Sequence, residues 1–212
     1  MLRRNMLALT FSAAVSRLLA QAQCDLCPDR SPADPWRELE DGNKRFVEGK
    51  LADRKDKCRL ACTSTGQKPL AAVLTCADSR VAPEIAFDQR IGDLFVVRVA
   101  GNVATDEAIG SIEYAVEHLH TPRVIVVLGH EKCGAVDAAL HAESAEGLVP
   151  SILNRIYPAI QDLRSSDLDK AIRANITLTA KTLPRYSHAI RSKGIPIVGA
   201  YYSLQTGRVT KV

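Results

Sequence analysis

The chain has 212 residues, of which 46% are hydrophobic and 25% are charged, and its formal net charge is +4. This length suits one domain with a sizeable core. The modest charge provides no basic footprint for nucleic acid, and no apolar run approaches the roughly 18 residues of a membrane span. We therefore expect a globular protein that binds no nucleic acid and has no membrane span.

Residues 1–22 have the pattern of a cleaved export signal. Arg3-Arg4 precedes a short apolar stretch, and Ala20-Gln21-Ala22 provides a cleavage site of the A-x-A type. The paired arginines resemble a twin-arginine signal and predict a periplasmic or secreted protein. Two other interpretations stay open. Organellar transit peptides are also rich in arginine and poor in acids, and the segment could be an amphipathic N-terminal helix.

Residues 23–35 form a predicted linker that contains cysteine and proline. Four of the six cysteines form two close pairs, Cys24/Cys27 and Cys58/Cys62. In an oxidising compartment this spacing favours disulfides. In a reducing one the same four residues could hold a structural zinc ion, or they could be four free thiols. The sequence does not determine which of the four would pair.

Residues 36–212 predict a single α/β domain. Strands and helices alternate along the chain, which predicts a mostly parallel central sheet flanked by helices. The stretch from Lys50 to Lys68 is polar and predicts no regular structure. Strands are expected at 70–75, 94–99, 124–128, 195–202 and 208–212. Helices are expected at 36–48, 83–88, 105–119, 134–142 and 151–193, the last broken near Ser165-Ser166 and near Pro184.

Metal-binding side chains follow two of the predicted strands. Cys76 comes directly after the strand at 70–75, and His130 and Cys133 come after the strand at 124–128. In open parallel sheets, ligands bind at the carboxyl ends of the strands. The three residues would supply S, N and S to a zinc ion, and three protein ligands leave the open position that is typical of a catalytic zinc site.

Asp78 and Arg80 lie close to the first of these ligands. In an extended segment their spacing places both on one face with Cys76. The guanidinium would keep the Asp78 carboxylate ionised and away from the metal. Asp78 could then accept a hydrogen bond from zinc-bound water. If the pair breaks, Asp78 could become the fourth ligand and close the site.

The pattern Cys76-x-Asp78-x-Arg80 with His130-x2-Cys133 resembles the signature of the β-class carbonic anhydrases, and the resemblance covers most of residues 36–205. It implies one Zn²⁺ per subunit and reversible hydration of CO2 to bicarbonate and a proton, through hydroxide formed on the zinc ion. It also implies a homodimer or a higher even oligomer.

The resemblance extends to the substrate pocket. Gln67 matches the substrate-contacting glutamine, and Phe95, Ala100 and Tyr114 match the apolar walls, all supplied by the neighbouring subunit. Some members carry a tryptophan that lines a regulatory bicarbonate pocket where this chain has Val73. We therefore expect the open form of the site, with water as the fourth ligand.

Two other functions fit the sequence. The same site could hydrolyse carbonyl sulfide or carbon disulfide. A non-catalytic zinc or dithiol protein, with Cys24-x2-Cys27 as its active feature, is the alternative from another class. For a carbonic anhydrase, proton relay has four candidate histidines: His118, His120, His141 and His188.

Overall fold

A computed structural model describes residues 32–52, 56–120, 122–142, 144–163 and 167–212, with only the backbone described at 56–58. The predicted export signal, Cys24 and Cys27 lie outside these residues, as does the side chain of Cys58. None of the helices in the described ranges combines the length and the hydropathy that a membrane crossing requires.

The described part of the chain folds around a five-stranded sheet, which confirms the predicted fold class. The strand order is β2-β1-β3-β4-β5, with β5 antiparallel to β4 and the other neighbours parallel. The strands are β1 (Ala71–Thr75), β2 (Leu94–Arg98), β3 (Ile125–His130), β4 (Ile197–Tyr202) and β5 (Val209–Lys211).

Helices cover both faces of this sheet. They are α1 (Pro35–Val47), α2 (Asp56–Thr63), α3 (Pro83–Ala86), α4 (Asp106–Tyr114), α5 (Gly134–Leu140), α6 (Val149–Ile160), α7 (Leu168–Tyr186) and α8 (His188–Lys193), with one wider π turn at Ala115–Leu119 after α4. Successive strand residues point to opposite faces. Ala72 and Leu74 therefore pack with Ile176 of α7, whereas Ala71 and Val73 pack in the second core cluster with α1.

Side-chain caps begin several of these helices. Asp34 accepts from the N–H of Arg37 at the start of α1, and Thr105 accepts from the N–H of Ala108 at the start of α4. Such caps satisfy N–H groups that have no partner within the helix.

Helix α2 was not expected from the sequence, and the prediction of irregular structure from Lys50 to Lys68 is wrong there. An ion pair rather than an apolar stripe anchors this helix. Arg59 donates from Nε to the carbonyl of Ile91 at 2.8 Å and pairs through Nη2 with Asp93, whose side chain is buried. Hydrophobic periodicity, on which the helix prediction depended, cannot detect such an anchor.

The helical stretch breaks near Pro184, as the sequence predicts, although not at the proline itself. Helix α7 continues through Pro184 and ends at Tyr186. The chain breaks instead at Ser187, whose hydroxyl accepts from the N–H of Ile190 and begins α8.

The order of the strands positions the candidate site. After β1 the chain forms β2, which pairs with one edge of β1. The next strand, β3, pairs with the other edge of β1. The ends of β1 and β3 thus form the topological switch point where α/β sheets bind ligands. The register pairs Thr75 with Leu128, so Cys76 follows level with the end of β3.

Candidate metal centre

Cys76, His130 and Cys133 converge at the carboxyl edge of the sheet. One ligand atom from each lies within 4.8 Å of the other two, and all three residues are buried. Cys76 directly follows β1, His130 is the last residue of β3, and Cys133 precedes α5. The turn between the last two places Lys132 in the left-handed region at φ 54°.

The His130 ring is oriented for a metal ion. Its Nδ1 lies 2.9 Å from the carbonyl of Glu131, which can only accept, so Nδ1 carries the proton. The opposite nitrogen, Nε2, is buried and has no hydrogen-bond partner in the described part of the protein. A buried nitrogen without a partner is costly, and a metal ion at this position would satisfy it.

The two thiols share one hydrogen bond. This bond with Cys133 lowers the pKa of Cys76 to about 4 against the opposing effect of burial, and His130 contributes further to the decrease. The same hydrogen bond, together with burial, raises the pKa of Cys133 far above its usual range. Burial lowers the pKa of His130, but the nearby Cys76 sulfur and its negative charge outweigh burial, so the pKa is raised. Two sulfurs and one imidazole nitrogen are a donor set that suits zinc.

Asp78 and Arg80 form a two-pronged ion pair beside these ligands. Arg80 donates from Nε to Asp78 Oδ1 at 2.9 Å and from Nη2 to Oδ2 at 2.7 Å, and its main-chain N–H also donates to Oδ1. These hydrogen bonds hold the pKa of the Asp78 carboxyl well below its usual range. The expected extended segment is wrong: the chain turns here, with the N–H of Val81 bonded to the carbonyl of Asp78.

Arg98 is a site residue to which the sequence analysis assigned no role. It ends β2 and donates from Nε to the carbonyl of Cys76 at 3.3 Å and from Nη2 to the carbonyl of Asp78 at 2.7 Å. It therefore fixes the main chain on both sides of Ala77. The available signal was a charged residue at the end of the apolar run Leu94-Phe95-Val96-Val97.

Gly101 and Asn175 support the site from the other side. The N–H of Gly101 donates to Cys76 Sγ at 3.3 Å, and Asn175 Nδ2 donates to the carbonyl of Gly101 at 2.7 Å. Gly101 has a φ of 67°, and a Cβ there would lie 2.9 Å from Ile156 Cδ1. Sequence analysis gave Asn175 no role, although a polar residue on the buried face of a helix was a usable signal.

The four predicted pocket residues lie near the β2 edge or are exposed. Gln67 is exposed in the loop before β1, and Ala100 is half-buried two residues after the end of β2. Phe95 of β2 is half-buried, and its ring centroid lies 6.5 Å from that of Tyr114, which is 50% exposed. Of the four candidate relay histidines, His118 stacks on Tyr114 with ring centroids 5.0 Å apart.

The remaining cysteines are only partly described. Cys62 is disulfide-bonded, whereas Cys76 and Cys133 are free thiols.

Comparison with known proteins agrees with this geometry. The profile of the family described as "Carbonic anhydrase" matches residues 71–209. A carbonic anhydrase of Mycolicibacterium smegmatis is 43% identical over 195 residues, covering 86% of this chain and 94% of the relative. "Carbonic anhydrase 2" of Mycobacterium tuberculosis is 41% identical over 193 residues, covering 85% of this chain and 93% of the relative.

A solved structure extends the likeness to three dimensions. The β-carbonic anhydrase of Coccomyxa, solved with acetazolamide, is 27% identical and covers 85% of this chain and 87% of its own, with a TM-score of 0.65. The family match spans both strand ends that carry the cysteines and His130. The chain accordingly belongs to the β-class carbonic anhydrases, enzymes with carbonate dehydratase activity.

Proposed function

We propose that this carbonic anhydrase works with one zinc ion per subunit, held by Cys76, His130 and Cys133. The observation that carries the proposal is the buried, unpartnered Nε2 of His130, on a ring that has a ligand atom within 4.8 Å of two thiol sulfurs. A zinc ion bound there would lower the pKa of a bound water from 15.7 to about 7 and so supply a nucleophile at neutral pH.

Asp78 would orient the attacking water. Its Oδ2 lies 3.8 Å from His130 Nε2, the nitrogen left free for the metal. Arg80 binds both carboxylate oxygens and keeps the group charged, so Asp78 acts as a hydrogen-bond acceptor. As long as this pair is intact, Asp78 is held back from the metal, and the fourth position stays open to water.

The substrate pocket would be completed by a second copy of the chain. The aromatic pair of Phe95 and Tyr114 lies on the side of β2, the edge strand of the sheet. The three residues from Phe95 to Val97 are apolar but only half-buried in the single chain. Such an edge favours association with another copy. In a dimer, Gln67, Phe95, Ala100 and Tyr114 of one subunit would bind CO2 above the metal centre of the other.

The test is CO2 hydration measured on protein of known metal content, beside the variant Cys76→Ser. We expect about one zinc per subunit in the wild type, and loss of both zinc and activity in the variant. Full activity of zinc-free protein would refute the mechanism. Carbonyl sulfide and carbon disulfide are assayed on the same samples, and turnover of either above that of CO2 would favour the alternative substrates. Sedimentation of the active enzyme should give a dimer or a higher even oligomer.

Export from the cytoplasm is the second part of the proposal. The disulfide at Cys62 is what an oxidising compartment would permit. We expect the mature protein to begin near Gln23, which N-terminal sequencing of protein from the native cell can measure. A mature chain that still begins at Met1 would contradict export through a cleaved signal.

A further inference from the structure

Glu131 joins the metal-binding turn to the end of β4 through both its main chain and its side chain. Its N–H donates to the carbonyl of Tyr202 at 2.9 Å. Its carboxylate oxygen Oε2 accepts from the hydroxyl of Ser203 at 3.0 Å and from the main-chain N–H of Gln205 at 3.2 Å. Three hydrogen bonds thus join this one residue to the last residue of β4 and to the connection that follows it.

The carbonyl of the same residue orients His130. It accepts from His130 Nδ1 at 2.9 Å, and this hydrogen bond fixes which ring nitrogen is left for the metal. A movement of the Glu131 peptide would therefore rotate the imidazole. Partners of this kind tune how tightly a ligand histidine holds its metal.

The next residue makes such an anchor necessary. Lys132 has a φ of 54°, a left-handed conformation that is unfavourable for a residue with a Cβ. Conformations of this kind persist only where the surrounding structure determines them. On the far side, the carbonyl of Cys133 accepts from the N–H of Asp137 at the start of α5. On the near side, the hydrogen bonds of Glu131 hold the turn.

We infer that Glu131 is a positioning residue of the metal centre, whose carboxylate, bound by Ser203 and Gln205, holds the His130–Cys133 turn in its metal-binding conformation. The inference rests on the proposed zinc site and deepens it. It gives the first residues of the β4–β5 connection a part in metal retention, although none of them is expected to touch the metal or the substrate.

The experiment measures the rate at which zinc passes from the folded holoenzyme to a chromogenic chelator. Glu131→Ala should release zinc up to about tenfold faster than the wild type. It keeps the main-chain carbonyl that orients His130 but removes both side-chain hydrogen bonds that hold the turn, and outer-shell partners of this kind typically contribute 10- to 100-fold to metal affinity. Ser203→Ala should release it faster by a smaller factor. Glu131→Gln keeps an acceptor oxygen and should restore much of the wild-type rate.

The matched control is Gln205→Ala, which should release zinc at the wild-type rate. The donor at this position is the main-chain N–H, which the substitution retains. Cobalt-substituted protein supplies a second readout. The visible spectrum should change in Glu131→Ala, because the turn that carries the carbonyl partner of His130 loses its side-chain anchor, and should stay unchanged in Gln205→Ala.

The outcomes separate the two proposals. A wild type that holds no zinc refutes the proposed function itself. A wild type that holds zinc, with Glu131→Ala and Ser203→Ala matching its release rate and cobalt spectrum, overturns the role of Glu131. If Glu131→Ala does not fold, Ser203→Ala decides, since it removes a single hydroxyl: faster release supports the inference and wild-type release overturns it.

Discussion

The carboxylate of Asp78 lies 3.8 Å from Nε2 of His130, although the two residues come from different strand ends of the sheet. Arg80 binds both oxygens of that carboxylate. The Asp78 side chain therefore stays charged beside the three proposed metal ligands without being one of them. This arrangement separates the residue that would orient water from the three residues that would hold zinc, and it predicts different results when each is changed.

Asp78→Ala should keep its zinc and lose most of its turnover, by on the order of 100-fold, because the attacking water loses its acceptor. Metal content and CO2 hydration are measured on the same preparation. The control is Asp41→Ala, which removes an exposed carboxylate of α1 that pairs with Arg37. Unchanged turnover in Asp78→Ala would rule out the orienting role, and loss of zinc would place Asp78 among the metal ligands.

Gly129→Ala should destabilise the protein by about 1–3 kcal/mol, because the new Cβ overpacks the contact between β3 and α7. It would lie 2.6 Å from two side-chain atoms of Ile176, which is fully buried and has little room to move. Urea unfolding measures the effect. Gly110→Ala is the control: its Cβ meets nothing within 4 Å on the exposed face of α4, and we expect it to be neutral or stabilising by about 0.5–1 kcal/mol. Equal stability of the two variants would contradict the tight packing at Gly129.

His118→Ala should lower kcat by at least about tenfold in weak buffer and leave kcat/KM nearly unchanged, because proton release follows the hydration step. His118 stacks on Tyr114, so in the proposed dimer it would lie at the mouth of the partner's pocket. Imidazole buffer should restore the rate. His188→Ala, which changes an exposed histidine at the start of α8, should behave like the wild type. If both variants retain the wild-type kcat, the proton leaves by another path.

The stability difference between wild type and Tyr201→Phe should narrow as the pH rises above about 10. Burial, followed by the hydrogen bond to Asp169, raises the pKa of Tyr201. A group whose folded-state pKa is raised stabilises the protein fully below its unfolded pKa, about 10, and loses that contribution as the pH rises toward the folded value. Tyr202 is present in both proteins, so its own raised pKa cancels. The urea midpoints of the two proteins are measured between pH 8 and 11. A difference between them that stays constant over this range would contradict a raised pKa of Tyr201 in the folded protein.

How much of the site the sequence predicts depends on where each residue lies in the chain. Cys76 and His130 lie at the ends of two apolar strands. The length and the ends of these strands can be recognised in the sequence, because each is a short run of apolar residues bounded by polar ones. Asp78 and Arg80 were expected in an extended segment, yet they pair in a turn. A short turn closed by its own side chain is not distinguished from extended chain by periodicity.

The supporting residues are harder to predict because long-range contacts define them. Arg98 acts through main-chain carbonyls 20 and 22 residues earlier in the chain, and Glu131 acts through Ser203, 72 residues later. Helix α2 was not predicted for the same reason, because the ion pair that anchors it joins Arg59 to Asp93, 34 residues later in the chain. No local pattern records such pairs, and the folded chain is needed to reveal them.

The most direct test is anomalous diffraction at the zinc edge from crystals of the enzyme prepared without added metal. We predict one peak per subunit, bonded by Cys76 and Cys133 at about 2.3 Å and by His130 Nε2 at about 2.0–2.1 Å, with Asp78 still paired to Arg80. A peak with a different set of protein ligands, or fully active crystals with no peak between these three residues, would contradict the account.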